Sequence, residues 1–132
     1  MTRTLTLLAA GLIAGCASGP GGDCCMKKGS TGVLRHAVLF KFKDGAPPDA
    51  VRAIEEKFRG LKARIPGILD FEWGTNVSPE KLDQGFTHCF FVTFPDAEAR
   101  NAYLPHPAHQ EFVDVLKPHL DKVLVIDYVA RD

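Results

Sequence analysis

Apolar and polar residues alternate from Val33 to Lys43, with Leu34, His36, Val38, Phe40 and Phe42 on one face and Arg35, Ala37, Leu39, Lys41 and Lys43 on the other. A period of two predicts a first strand. After the turn Asp44-Gly45-Ala46-Pro47-Pro48 the period lengthens to three or four. Val51, Ile54, Phe58, Leu61 and Ile65 then form the apolar stripe of a helix that starts at Pro48 or Asp49 and stops at Pro66-Gly67. A second strand is predicted from Ile68 to about Val77, and a polar link, Ser78 to Gly85, leads to a third from Phe86 to Phe94. In the third strand Phe86, His88, Phe90, Val92 and Phe94 share a face. Asp96 is the predicted N-cap of a second helical region, which Pro118 ends. The β-branched run Val123 to Val129 is the last strand.

Strand, helix, strand, strand, helix, strand is the α+β, ferredoxin-like βαββαβ order, a four-stranded antiparallel sheet with two helices on one face. Apolar residues occupy both faces of the first and last strands: Val38, Phe40 and Phe42 against Leu39, and Val123 and Val125 against Leu124, Ile126 and Tyr128. Two helices cover only one side of such a sheet. The other side is therefore expected to meet a second copy, giving a homodimer whose sheets form an α/β barrel.

Residues 1–15 do not fit this domain. Arg3 is followed by an uncharged apolar stretch, Leu5 to Gly15, too short to span a bilayer, which reads as a secretory signal. Leu12-Ile13-Ala14-Gly15-Cys16 resembles the bacterial lipobox, and the resemblance implies cleavage before Cys16 and lipidation of Cys16. Residues 16–32 are rich in glycine and serine, the composition of a flexible tether. Cys24 and Cys25 lie in it without evident metal-ligand partners. Cys89 falls within the third strand and reads as a small buried residue. The expected product is a lipoprotein anchored in the bacterial cell envelope, carrying one domain over residues 33–132. Sixteen basic residues balance sixteen acidic ones, with no basic stripe or run of like charge, so no nucleic-acid partner is expected.

The candidate chemistry is concentrated between Ala102 and Phe112. Pro105 and Pro107 cannot both sit inside a helix, so the second helical region must break near Leu104 and restart at about Pro107. Tyr103, His106 and His109 are gathered at the break, and a phenol beside an imidazole is a workable proton-transfer pair. Together with His36 and His88, and with Phe40 and Phe90 as apolar wall, they are expected to line one pocket for a small apolar ligand.

Arg35-His36-Ala37-Val38-Leu39-Phe40-Lys41-Phe42-Lys43, Gly85-Phe86-Thr87-His88, and Tyr103 through His109 resemble the stress-responsive dimeric α/β barrel (Dabb) family. The resemblance implies the dimeric barrel. Its members include small stress-associated proteins and a plant polyketide cyclase, and by its motif the acid/base pair would be Tyr103 and His109, with His36 and His88 as pocket histidines. Phe86, Phe91 and Pro105 depart from the cyclase pattern. Binding of a small apolar molecule by a membrane-tethered module is thus the leading expectation. A cyclase or lyase using Tyr103 and His109 is the alternative. A metal at His106 and His109, joined by His36 or His88, is a further one, but no Asp, Glu or Cys is evidently placed to complete the set. No metal and no cofactor is expected.

Overall fold

The computed structural model describes residues 32–131. The expectations for the signal, Cys16, Cys24 and Cys25 lie outside the described residues. Strand β1 (Leu34–Phe42) leads to helix α1 (Pro48–Arg64), strands β2 (Asp70–Thr75) and β3 (His88–Phe94), helices α2 (Ala97–Tyr103) and α3 (Pro107–Leu116), a 3-10 turn (Lys117–His119) and strand β4 (Leu120–Val129). The sheet order is β2-β3-β1-β4, with every neighbouring pair antiparallel. This is the expected ferredoxin-like arrangement, except that the second helical region is two helices. Pro105 and Pro107 lack the N–H donors that a continuous helix needs there, and the chain turns between them.

Each element begins and ends where local chemistry dictates. Pro48 fills the first turn of α1, where a missing N–H costs nothing. Gly67, at φ +95°, turns the chain after α1, and a Cβ there would stand 3.3 Å from that of Ala99. The turn therefore requires glycine both for its backbone and for the close approach of α2. Asp96 caps α2 by accepting from the Ala99 N–H at 2.9 Å, as its position predicts.

The helices pack on the face of the sheet that carries Leu34, His36, Val38 and Phe40. Phe58 of α1 sits at the centre, with its ring centroid 4.5 Å from Phe112 of α3 and 4.7 Å from Phe90 of β3. Truncating a buried ring of this kind costs about 3–5 kcal/mol, so this cluster decides the stability of the domain. Phe40 and Phe90 belong to it, with ring centroids 5.0 Å apart and 1% and 0% exposure. Contrary to expectation, they are core and not pocket wall, because the helical phenylalanines fill the space in front of them.

Beyond the reach of the helices, β4 is exposed along both faces. Val123, Val125 and Val129 on the helix side are about as open as Leu124, Ile126 and Tyr128 on the other. No helix among the described residues is long and apolar enough to cross a membrane.

Candidate functional site

The break between α2 and α3 builds the site. Tyr103 is the last residue of α2, and its carbonyl accepts from the His106 N–H at 3.1 Å. His106 is the N-cap of α3, its Nδ1 accepting from the Ala108 N–H at 3.1 Å. One nitrogen of that ring is thus committed to holding the helix end. One turn on, His109 Nδ1 donates to the Leu104 carbonyl at 2.9 Å, an oxygen that also accepts from Gln110 Nε2 at 2.8 Å. In the neutral ring this places the proton on Nδ1 and leaves the lone pair on Nε2, the form a general base requires.

Tyr103 and His109 lie against each other with ring centroids 4.3 Å apart. Burial lowers the His109 pKa below its ordinary value of 6.5, helped by His36 and His106 and opposed by the Leu104 carbonyl. The imidazole is therefore neutral at pH 7. Burial also pushes the Tyr103 phenol well above its ordinary value. Tyr103 is 1% exposed, and its hydroxyl is a buried polar atom without a hydrogen-bond partner among the described residues. Leaving a buried hydroxyl unpaired costs about 1–3 kcal/mol, so the position is one that a bound acceptor would stabilise.

Behind the phenol stands His36, 5% exposed, with its ring edge-on to that of Tyr103 at 5.8 Å. His36 Nδ1 donates to Asp127 Oδ1 at 2.6 Å, and the other carboxylate oxygen is held by Arg100 Nη1. Arg100, Asp127, His36, Tyr103 and His109 thus form a continuous series drawn from α2, β4, β1 and α3. Asp127 and Arg100 were not among the residues singled out from sequence. The available signal was that Asp127 is the one charge in the apolar run Val123 to Val129, and the register places it opposite His36.

The other predicted residues lie elsewhere. His88 pairs across the sheet with Phe40, whereas His36 pairs with Val92, four residues further along β3. That offset is about 13 Å of strand, so a shared face does not make a shared pocket. His88 Nε2 donates to Glu55 Oε1 at 2.9 Å, and the ring stacks on Trp73, tying β3 to α1. Five polar groups therefore do not converge: His36, Tyr103 and His109 do, His106 caps α3, and His88 stands apart. Among the described residues, no group of three or more His, Cys, Asp or Glu side chains is arranged to hold a metal ion.

A cleft of about 530 Å³ opens on the opposite face of the sheet, beneath the loop 76–87. Cys89 lines this cleft instead of lying in the core, and burial, followed by Glu72, raises its thiol pKa. It is a poor nucleophile.

The profile of the Stress Responsive A/B Barrel Domain, Dabb, matches residues 34–130. The chain belongs to the Dabb family. It is 43% identical over 97 residues to the stress-response A/B barrel domain-containing protein HS1 of Arabidopsis thaliana, covering 74% of this chain and 89% of that protein. Olivetolic acid cyclase of Cannabis sativa is 33% identical over 98 residues, 74% of this chain and 97% of the cyclase. Among solved structures, a dimeric ferredoxin-like protein of unknown function from Jannaschia superimposes with a TM-score of 0.67 at 28% identity, covering 75% of this chain and 100% of that one.

Within this Dabb domain the chemistry available at the helix break is specific. A neutral phenol without a partner offers one hydrogen bond, and a neutral imidazole beside it offers a lone pair. Neither group carries charge at pH 7. The arrangement suits an uncharged acceptor such as a carbonyl oxygen, next to a carbon whose proton the imidazole can take.

Proposed function

We propose that this Dabb domain binds a small, largely apolar carbonyl compound at the helix break, where the Tyr103 hydroxyl donates to the carbonyl oxygen. The observation that carries the reading is the buried hydroxyl with no partner, in ring contact with a neutral histidine. The relationship to a plant protein named for the stress response supports a stress-related role, and the relationship to a cyclase supports a carbonyl-bearing ligand. The protein acts as a homodimer, a reading favoured by the exposed apolar faces of β4 and by the dimeric state named for the Jannaschia relative. Lipidation at Cys16 tethers it to the bacterial envelope, with residues 16–32 as the tether. Palmitate labelling of the full chain, abolished in Cys16→Ser, tests that part.

The tautomer of His109 favours a second reading, in which binding leads on to catalysis. Nε2 removes a proton from the carbon next to the carbonyl, and Tyr103 stabilises the charge that develops on oxygen. Intramolecular carbon–carbon bond formation or elimination then follows. Positioned acid–base groups of this kind contribute about 100- to 10,000-fold. Exchange of the α-protons of a small ketone with deuterium, followed by NMR, tests it. Exchange that is lost in both Tyr103→Phe and His109→Gln supports catalysis, and exchange unaffected by either contradicts it.

A further inference from the structure

The carbonyl of Leu104 is the pivot of the helix break. In a continuous helix it would accept from the Ala108 N–H, four residues on. Here that N–H goes instead to Nδ1 of His106. Among the described residues no backbone N–H reaches the Leu104 oxygen, and a carbonyl at a helix end must then find its donors elsewhere. Two side chains supply them, His109 Nδ1 at 2.9 Å and Gln110 Nε2 at 2.8 Å. The backbones of the same two residues are fixed together, both N–H groups donating to the His106 carbonyl, at 2.9 and 3.0 Å. The third and fourth residues of α3 thus reach back across the break side by side.

The two donors differ in what they can choose. An amide NH₂ can only donate, whereas a neutral imidazole carries its proton on either Nδ1 or Nε2. A carbonyl can only accept, so as long as it faces the ring it keeps the proton on Nδ1 and the lone pair on Nε2. Leu104 is 40% exposed, and its peptide group borders water that competes for the oxygen. Gln110, itself exposed, occupies the second lone pair of that oxygen and ties it to α3.

We propose that Gln110 is a positioning residue for the proton-transfer site: by holding the Leu104 carbonyl against His109 Nδ1, it fixes the imidazole in the tautomer that presents a basic Nε2. This rests on the proposed chemistry of Tyr103 and His109 and adds the residue that sets the state of the base. Gln110 acts through the carbonyl and not on the ligand. A carboxylate at this position would turn two acceptors on each other, and a hydrocarbon side chain would leave the second lone pair to water.

The test compares the full chain with Gln110→Met, Gln110→Glu and Gln110→Lys. Two-bond ¹H–¹⁵N correlation spectra at pH 8, where burial keeps the His109 ring neutral, report which ring nitrogen carries the proton in the ligand-free protein. The wild type and Gln110→Lys, which keeps a donor, should show the Nδ1–H form. Gln110→Met and Gln110→Glu should show a substantial share of the Nε2–H form. Deuterium exchange at the α-carbons of cyclohexanone should fall about 3- to 10-fold in those two variants, the worth of one hydrogen bond, in kcat more than in KM, and should recover in Gln110→Lys. Urea midpoints of all four proteins should stay close together, because the side chain is exposed. A wild type in the Nε2–H form, or a Gln110→Met that keeps the Nδ1–H form, overturns the role of Gln110. A tautomer that shifts in Gln110→Met while the wild type exchanges no ketone protons upholds that role and contradicts the catalytic reading of the site.

Discussion

His36 Nδ1 and Asp127 Oδ1 are 2.6 Å apart, an ion-pair geometry across β1 and β4 in which the histidine side chain is 7% exposed and the carboxylate 27%. The pair fixes the orientation of the ring that backs Tyr103. It also joins the candidate site to β4, a strand whose side chains are exposed from Asp121 to Val129. Asp127→Asn should therefore cost about 1.5–3 kcal/mol in urea denaturation, the range for a hydrogen bond to a charged group. The ¹⁵N shifts of His36 should change with it. An unchanged midpoint would show that the carboxylate does not hold the ring.

Tyr103→Phe should separate stability from function. Removing a buried hydroxyl that has no partner relieves its desolvation cost, so the ligand-free domain should gain about 1 kcal/mol, or roughly 4–8 °C in Tm for a domain of this size. Ligand capture should be lost in the same variant. Calorimetry of the purified variant checks the first part, and a decrease in Tm would mean that the hydroxyl has a partner after all.

The pH dependence follows from His109. Its folded pKa lies below the ordinary 6.5, so the unfolded chain binds the proton more tightly. The stability it contributes is complete above about pH 6.5 and is lost as pH falls through the lower folded value. Urea midpoints measured between pH 8 and pH 5 should decline more steeply for the wild type than for His109→Gln. Parallel curves would contradict the assignment of burial as the dominant influence on this ring.

The break between α2 and α3 depends on the cap before it. Asp96→Ala removes the acceptor for the Ala99 N–H and should cost about 1 kcal/mol. Because α2 is only seven residues long and ends at Tyr103, the loss should also loosen the phenol. Faster amide exchange at Tyr103 is the expected signature, and exchange confined to residues 97–99 would show that the cap acts only locally.

Much of this was legible in the residue pattern. Period two and period three-to-four located the strands and helices, and the two prolines located the break, because their constraints act within a few residues. Tyr103 and His109 were legible for the same reason, being six residues apart across that break. His88 was misplaced because alternation gives the face of a residue but not its height along the sheet, which only the register of β1 against β3 supplies. Phe40 and Phe90 were misplaced because an apolar strand face looks the same whether a helix or a ligand covers it. Asp127 and Arg100 were missed because their significance lies in a contact between residues 27 apart in sequence.

The most direct measurement is native mass spectrometry of the full chain purified without chelator, beside Tyr103→Phe and His109→Gln. A wild-type assembly that carries a small organic mass is expected, together with variants that have lost it. An assembly that retains the same mass in both variants, or that captures no apolar carbonyl compound offered in excess, would contradict a ligand site at Tyr103 and His109.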